Sequence, residues 1–314
     1  GGSATAAVLA ADCDQNGFEG SYIGGVAFDA SNDFTVTFTN NSFSTADISL
    51  TTSDLVLSGT ALGSVTVASV APTSVTLTAG QTQVVTYQLS GSPVVGELQA
   101  DWSKISLSCT KTKTVGTGDA SFTLPATAAI VSIYDGSPLV DIQGVADNSA
   151  NQFIVNVPYT SGIGTYDAYA SGVVTSAAGT GEGGDANGFS ISYPAGTFGT
   201  SGSIAVTITV DGDGSFDAEK QLFGVLKTIA SMDLQLNGSS KGNVDLKVVG
   251  GVPDRNFADA NHQFVYIPVT SAGGETWLNN NLGAHYANLN HASFSPISQA
   301  SASTDYNAYG SLFQ

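Results

Sequence analysis

The sequence predicts an all-β protein built from tandem sandwiches, followed by a C-terminal segment of mixed α+β character. Three observations carry this expectation. Apolar residues alternate with period two, turn-forming residues separate the alternating runs, and the pattern returns after about 120 residues.

The elements follow in order. Phe34, Val36 and Phe38 share one face of a strand whose other face is threonine. The segments Val65–Val67, Ser74–Thr78 and Val84–Leu89 repeat that alternation, and Phe153–Val157 and Ile204–Val210 do so in the middle third. Between them stand Pro72, Ala79-Gly80, Ser90–Pro93, Gly196 and the acidic run Asp211–Gly214, all with turn chemistry. Short strands so punctuated are the pattern of β-sandwiches.

The repeat is explicit. Gly25-Val26-Ala27 and Asn32–Thr39 match Gly144-Val145-Ala146 and Asn151–Pro158, and Ser74–Gly80 matches Ser190–Gly196. Val84–Leu89 likewise answers Ala205–Val210. Two copies of one fold are therefore expected at 1–114 and 115–230, with the small polar run Lys111–Asp119 as the linker. Asp217–Ile229 has a helical composition, but its place in the repeat argues for strands. A third domain is expected over 231–314, where Trp277, all three histidines and a group of asparagines appear. Phe264–Pro268 reads as a strand there, and Ser303 or Thr304 as the cap of a helix through Tyr306, Tyr309, Leu312 and Phe313.

Composition restricts the function. Charged residues make up 11% of the 314 residues, and hydrophobic residues 42%. A disordered chain normally has the reverse balance. Eight basic against 26 acidic residues leave a net charge of −18, which repels phosphate backbones and anionic membranes. No apolar run approaches the roughly 20 residues of a membrane span. The two cysteines, Cys13 and Cys109, stand at the ends of the first hundred or so residues. Pairing them closes a long loop, worth about 3–5 kcal/mol on the chain-entropy model, and implies an oxidising compartment. Two buried thiols are the alternative.

A resemblance adds to this reading. Cys13, Asn40–Phe43, Ser53–Gly59, Val70–Ser74, Leu77–Gln81, Tyr87–Gly91 and Trp102–Lys104 leading to Cys109 resemble a repeat of very large secreted surface proteins of Bacteroidota. Val157–Thr160, Gly164–Tyr166, Ala195–Phe198 and Gly202-Ser203 are similar to a companion repeat. Both repeats are Ig-like and occur in tandem in adhesin-like chains. Glu275–Asn279, Asn281–Ala284 and Asp305–Gln314 resemble the start of the Fibrobacter-type major paralogous domain, which implies a C-type-lectin-like fold. Such domains continue well past this point, so the 314 residues are expected to be a piece of a longer protein.

Calcium is the leading cofactor candidate. Asp12, Asp14 and Asn16 follow the opening of an EF-hand loop, although Ile23 stands where the bidentate glutamate belongs. Asp211, Asp213, Asp217 and Glu219 form a denser group, for which a solvated acidic turn is the simpler reading. Trp277, Tyr286, Tyr306 and Tyr309, set among amides, are candidates for stacking on sugars, but Trp277 and Tyr309 are read first as core residues of the lectin-like module. His262, His285 and His291 are too widely spaced for a helical zinc motif. Asn40 and Asn237 head Asn-x-Ser/Thr sequons. No acid–base pair, nucleophile elbow or phosphate loop stands out.

The expected function is therefore structural and adhesive, not enzymatic, in a secreted or cell-surface setting. The expected partners are further copies or other surface modules, with self-assembly into filaments as a candidate behaviour. A glycan- or protein-binding module and a phage or injection-system fibre are the alternatives.

Overall fold

Strands dominate the computed structural model, which describes residues 9–14, 17–134, 141–254, 264–289, 291 and 293–310; among these, helical structure is confined to short 3-10 turns. The chain divides into two units. The first runs to Ala120 and also takes in Ser161–Asp167 and Ala195–Thr200, and the remainder forms the second.

The first unit begins with β1 (Leu9–Asp12), β2 (Phe18–Glu19), β3 (Asp33–Asn40), β4 (Ala46–Ser49) and β5 (Leu55–Ser58). It continues through β6 (Thr66–Ala71), β7 (Ser74–Leu77), β8 (Thr82–Ser90), β9 (Gly96–Lys104) and β10 (Leu107–Val115). One sheet has the order β1-β3-β8-β6, with β2 also on β3; the other has the order β10-β9-β5, and β4 pairs with β7. The period-two alternation of the sequence sets which face is buried. Phe34, Val36 and Phe38 of β3 are fully buried, as are Val85 and Tyr87 of β8 and Leu98 and Ala100 of β9. Trp102 of β9 packs edge-to-face on Phe38, with ring centroids 5.3 Å apart. Each such large side chain contributes about 1.5–3 kcal/mol through burial.

Cys13, just past β1, is disulfide-bonded to Cys109 of β10, with Cα atoms 6.4 Å apart and a sequence separation of 96. The expected pairing is thus present. It joins the terminal strands of the two sheets, and Cys109 lies directly opposite Trp102 in the β9–β10 register.

The chain continues with β11 (Asp119–Phe122), β12 (Ala126–Val131), β13 (Ile133–Tyr134), β14 (Asp141–Ile142), β15 (Gly144–Asp147) and β16 (Ile154–Ile163). Then come β17 (Thr165–Tyr166), β18 (Tyr169–Ala170), β19 (Val174–Thr175), β20 (Gly188–Tyr193) and β21 (Gly196–Thr197), of which β17 and β21 belong to the first unit. β22 (Ser201–Val210), β23 (Ser215–Ala218), β24 (Leu226–Leu236) and β25 (Ser239–Val249) complete the second sandwich. Its larger sheet has the order β11-β16-β22-β20-β18, and its smaller sheet β12-β25-β24. β12 runs parallel to β25, while β16–β22, β22–β20, β20–β18 and β25–β24 are antiparallel.

β3 and β16, and then β8 and β22, occupy matching places in their sheets, as the sequence repeat requires. Asp217–Ile229 is strand and turn rather than helix. The copies diverge after β22. The first passes from β8 straight to β9, whereas the second inserts β23, paired with β15, before reaching β24. β23 therefore has no counterpart in the Ser90–Gly96 connection of the first copy.

Two boundaries differ from expectation. Lys111–Val115 is the end of β10 rather than a linker, and the first division falls at Ala120. Residues 231–249 do not open a third domain. They belong to the β24–β25 hairpin, whose Met232, Leu234, Val244, Leu246 and Val248 are buried in the second unit. The hairpin turns at Asn237-Gly238, both at positive φ (50° and 81°), as a two-residue connection between twisted strands requires.

The C-terminal stretch, with β26 (Val252–Pro253), β27 (Val265–Tyr266), β28 (Pro268–Thr270) and β29 (Thr276–Leu278), adds Val265 and Leu289 to a small core with Ala129 of β12 and Val249 of β25. Among the described residues there, the expected α+β character is not seen. Of the expected helix near the C-terminus, only a 3-10 turn at Tyr306–Ala308 is present; Leu312 and Phe313 lie outside the described residues. No described helix is long and apolar enough to cross a membrane.

Candidate functional site

β28 and β29 form a hairpin in which Val269 lies opposite Trp277, so their side chains share one face. Trp277 is 66% exposed and lines an open groove of about 200 Å³ with Val269, Ser271, Leu278, Asn279 and Gln299. It is a surface residue, which removes it from the core role weighed above. Two asparagines hold the loop beside it. The Asn279 amide accepts the Ile267 N–H (2.8 Å) and donates to the Pro296 carbonyl (2.7 Å), and Asn280 donates to the Ser298 carbonyl (2.8 Å). These asparagines therefore shape the groove, while Gln299 contributes an amide to its lining.

The three tyrosines stand apart from that groove. The Tyr286 hydroxyl donates to both Asp305 oxygens (3.1 and 3.0 Å). That bond is the first cause pushing the Tyr286 hydroxyl up. Asp305 is held below the usual carboxylate range, first by the Ser301 amide and also by Tyr286. Tyr306 and Tyr309 are neighbours with ring centroids 6.1 Å apart, and the Tyr309 hydroxyl donates to the Ser303 carbonyl (2.8 Å). Tyr309 is 39% exposed, again not a core residue. The structure thus brings Tyr286 to Asp305 but does not gather the four aromatics into one pocket.

The carboxylates proposed for calcium are bound to other groups. The Asp12 carboxylate accepts the Asp14 N–H (2.6 Å), and Asp14 itself contacts the Lys111 ammonium. The Lys111 ammonium thus partners the Asp14 carboxylate. Asn16 lies outside the described residues. In the second group, Asp211 accepts the Gly188 N–H (2.6 Å), and Asp213 accepts the Ser215 N–H (3.1 Å). Asp217 is exposed on β23, with its own N–H bonded to Asp185 (3.0 Å), and Glu219 follows at the strand's end with its N–H on Thr180 (2.7 Å). The turn and the strand spread these acids apart. Among the described residues, no three acidic, histidine or cysteine side chains are grouped to hold a metal.

Sequence reasoning missed two features. His285 and His291 stack with ring centroids 3.9 Å apart, which no spacing rule signals, because irregular turns create the contact. His262 lies outside the described residues. The sequon at Asn40 is buried, its side-chain amide donating to the Ser44 and Leu77 carbonyls, so it is a structural loop residue. Asn237 stands exposed at the tip of the β24–β25 hairpin.

No protein-family model matches the chain, and no curated protein matches it.

Proposed function

We propose that the chain is a non-enzymatic, extracellular structural and adhesive part of a bacterial surface or fibre, in which Ig-like sandwiches serve as load-bearing spacers. The observation that carries this reading is the Cys13–Cys109 disulfide between the first and last strands of the first sandwich. Tension applied to the chain outside these residues passes through the covalent bridge, so the loop of residues between them is shielded from unravelling. Strand order supports the Ig-like assignment: β1-β3-β8-β6 and β10-β9-β5 follow the ABED and GFC wiring of a constant-type Ig sandwich. The net charge of −18 favours solubility and opposes non-specific contact with anionic surfaces.

Single-molecule stretching of the intact chain tests the reading. Under non-reducing conditions, the residues between the cysteines should contribute no extension. In reductant, the 96-residue separation should release roughly 320–350 Å of added contour length. Release of that length without reductant would end the load-bearing reading. Electron microscopy of the same material distinguishes filaments from monomers, and monomers alone would remove self-assembly from it.

The exposure of Trp277 favours a second reading, a ligand-binding role for the C-terminal segment. Under it, glycan-array binding by the intact chain is lost in Trp277→Ala. Absence of binding by the unsubstituted chain, or retention by the variant, would argue against a role for this groove.

A further inference from the structure

His285 opens the 3-10 turn His285–Ala287, and the chain returns so that His291 lies on it, ring planes 17° apart. The return is fixed by Asn288 N–H donating to the His285 carbonyl (3.2 Å) and His291 N–H donating to the Asn288 carbonyl (3.0 Å). His291 Nδ1 accepts the Ser293 N–H (3.1 Å), so that nitrogen carries no proton and the neutral ring holds its proton on Nε2. His285 Nδ1 lies 3.3 Å from Asn307 Oδ1 on the facing turn, a contact that becomes a hydrogen bond when Nδ1 is protonated.

We propose that this pair is an acid-operated latch: the singly charged or neutral stack keeps the His285–His291 turn closed, and a second proton opens it. The two rings are unequal in what a proton does to them. His285 is exposed, and with a proton on Nδ1 it donates to Asn307, so a proton on this ring breaks no contact. The second proton must go to His291 Nδ1. There it displaces the Ser293 amide and sets two cations face to face across the stack.

The other titratable groups on the two turns are Tyr286 on the histidine side and Asp305, Tyr306 and Tyr309 opposite. Asp305 is the anion among them, and its oxygens already accept from Tyr286 and Ser301. The His291 imidazole accordingly lies below its ordinary value, first through burial and then through His285. The turn also anchors its continuation, since Phe294 N–H donates to the His291 carbonyl (2.9 Å) and Ser295 N–H to the Tyr286 carbonyl (3.0 Å). Opening the stack therefore loosens this stretch of the C-terminal segment.

Imidazole NMR on the intact chain, titrated from pH 8 to pH 4, tests the latch. His291 should titrate below the ordinary imidazole range, and the Ser293 amide signal should move with the same midpoint. His285→Gln should raise that midpoint. Protection of the Phe294 and Ser295 amides, taken relative to their intrinsic exchange at each pH, should fall about tenfold below it, while the β24–β25 hairpin stays protected. His291→Gln, which retains an acceptor and cannot take a charge, should keep the protection of these amides in acid. Independent titration of the two rings, a His291 midpoint unmoved by His285→Gln, or amide protection unchanged by acid would each overturn the proposal.

Discussion

The indole N–H of Trp102 donates to the hydroxyl of Tyr87 at 2.8 Å, joining the two sheets of the first sandwich through side chains that are both almost wholly buried. Tyr87 comes from β8 and Trp102 from β9, so this polar bond spans an otherwise apolar core. Tyr87→Phe would leave the indole donor without a partner while barely changing the packing. The expected cost is about 1–3 kcal/mol, read as a lower urea midpoint with an unchanged slope. A variant as stable as the parent would show that another acceptor takes over the indole.

Alkaline conditions act on the same residue. Burial is the first cause pushing the Tyr87 hydroxyl up to about 12, and burial with the charges of Asp33 and Glu19 pushes Tyr22 up as well. Both groups are neutral in the folded chain, whereas an unfolded tyrosine ionises near pH 10. The stability they contribute is therefore complete below about pH 10 and lost as the pH rises through about 12. Urea unfolding at successive pH values should show a decline beginning near pH 10. The decline should be shallower in Tyr87→Phe by about 1.4 kcal/mol per pH unit over that range.

The fold was legible wherever one rule governed one element. The alternation of Phe34, Val36 and Phe38 fixes a buried face with no help from distant residues, and the repeat carries β3 over to β16. Cys13 and Cys109 could be paired because two residues permit one bridge. The C-terminal segment was legible only in part, because hydrogen bonds of single side chains organise it rather than periodicity. Asn279, Asn280 and Asp305 each hold a loop in place, and none of those contacts follows from spacing. The same holds for β24, whose place in the second sandwich depends on partners both near and far in sequence, β25 and the parallel strand β12 beyond it.

Glu19 of β2 and Asp33 of β3 are directly opposite in the antiparallel register, so two carboxylates face each other across the strand pair. One Asp33 oxygen is buried with no hydrogen-bond partner. Burial first, and the Glu19 charge second, raise the Asp33 carboxyl above its usual value. The folded chain therefore favours protonated Asp33. That contribution is present in acid and lost as the pH rises through the raised value. Asp33→Asn should stabilise the chain at pH 7 by a few tenths to about 1 kcal/mol, and the gain should fade near pH 4. Thermal melts of parent and variant at the two pH values decide it, and a gain that persists in acid would remove the like-charge explanation.

The turn between β9 and β10 places Ile105 and Ser106 both at positive φ, 51° and 62°. This is the left-handed geometry of a two-residue hairpin connection, which asparagine and glycine occupy readily and a β-branched residue does not. Ile105 is 54% exposed, so packing offsets little of the backbone strain. Ile105→Asn with Ser106→Gly should therefore stabilise the first sandwich by about 1–2 kcal/mol, the cost of holding L-residues in this region. The measurement is the urea midpoint of the intact oxidised chain, compared with each single variant. Equal or lower stability in the double variant would show that the Ile105 side chain makes up for its own strain, and that its place at the hairpin tip contributes to the fold itself.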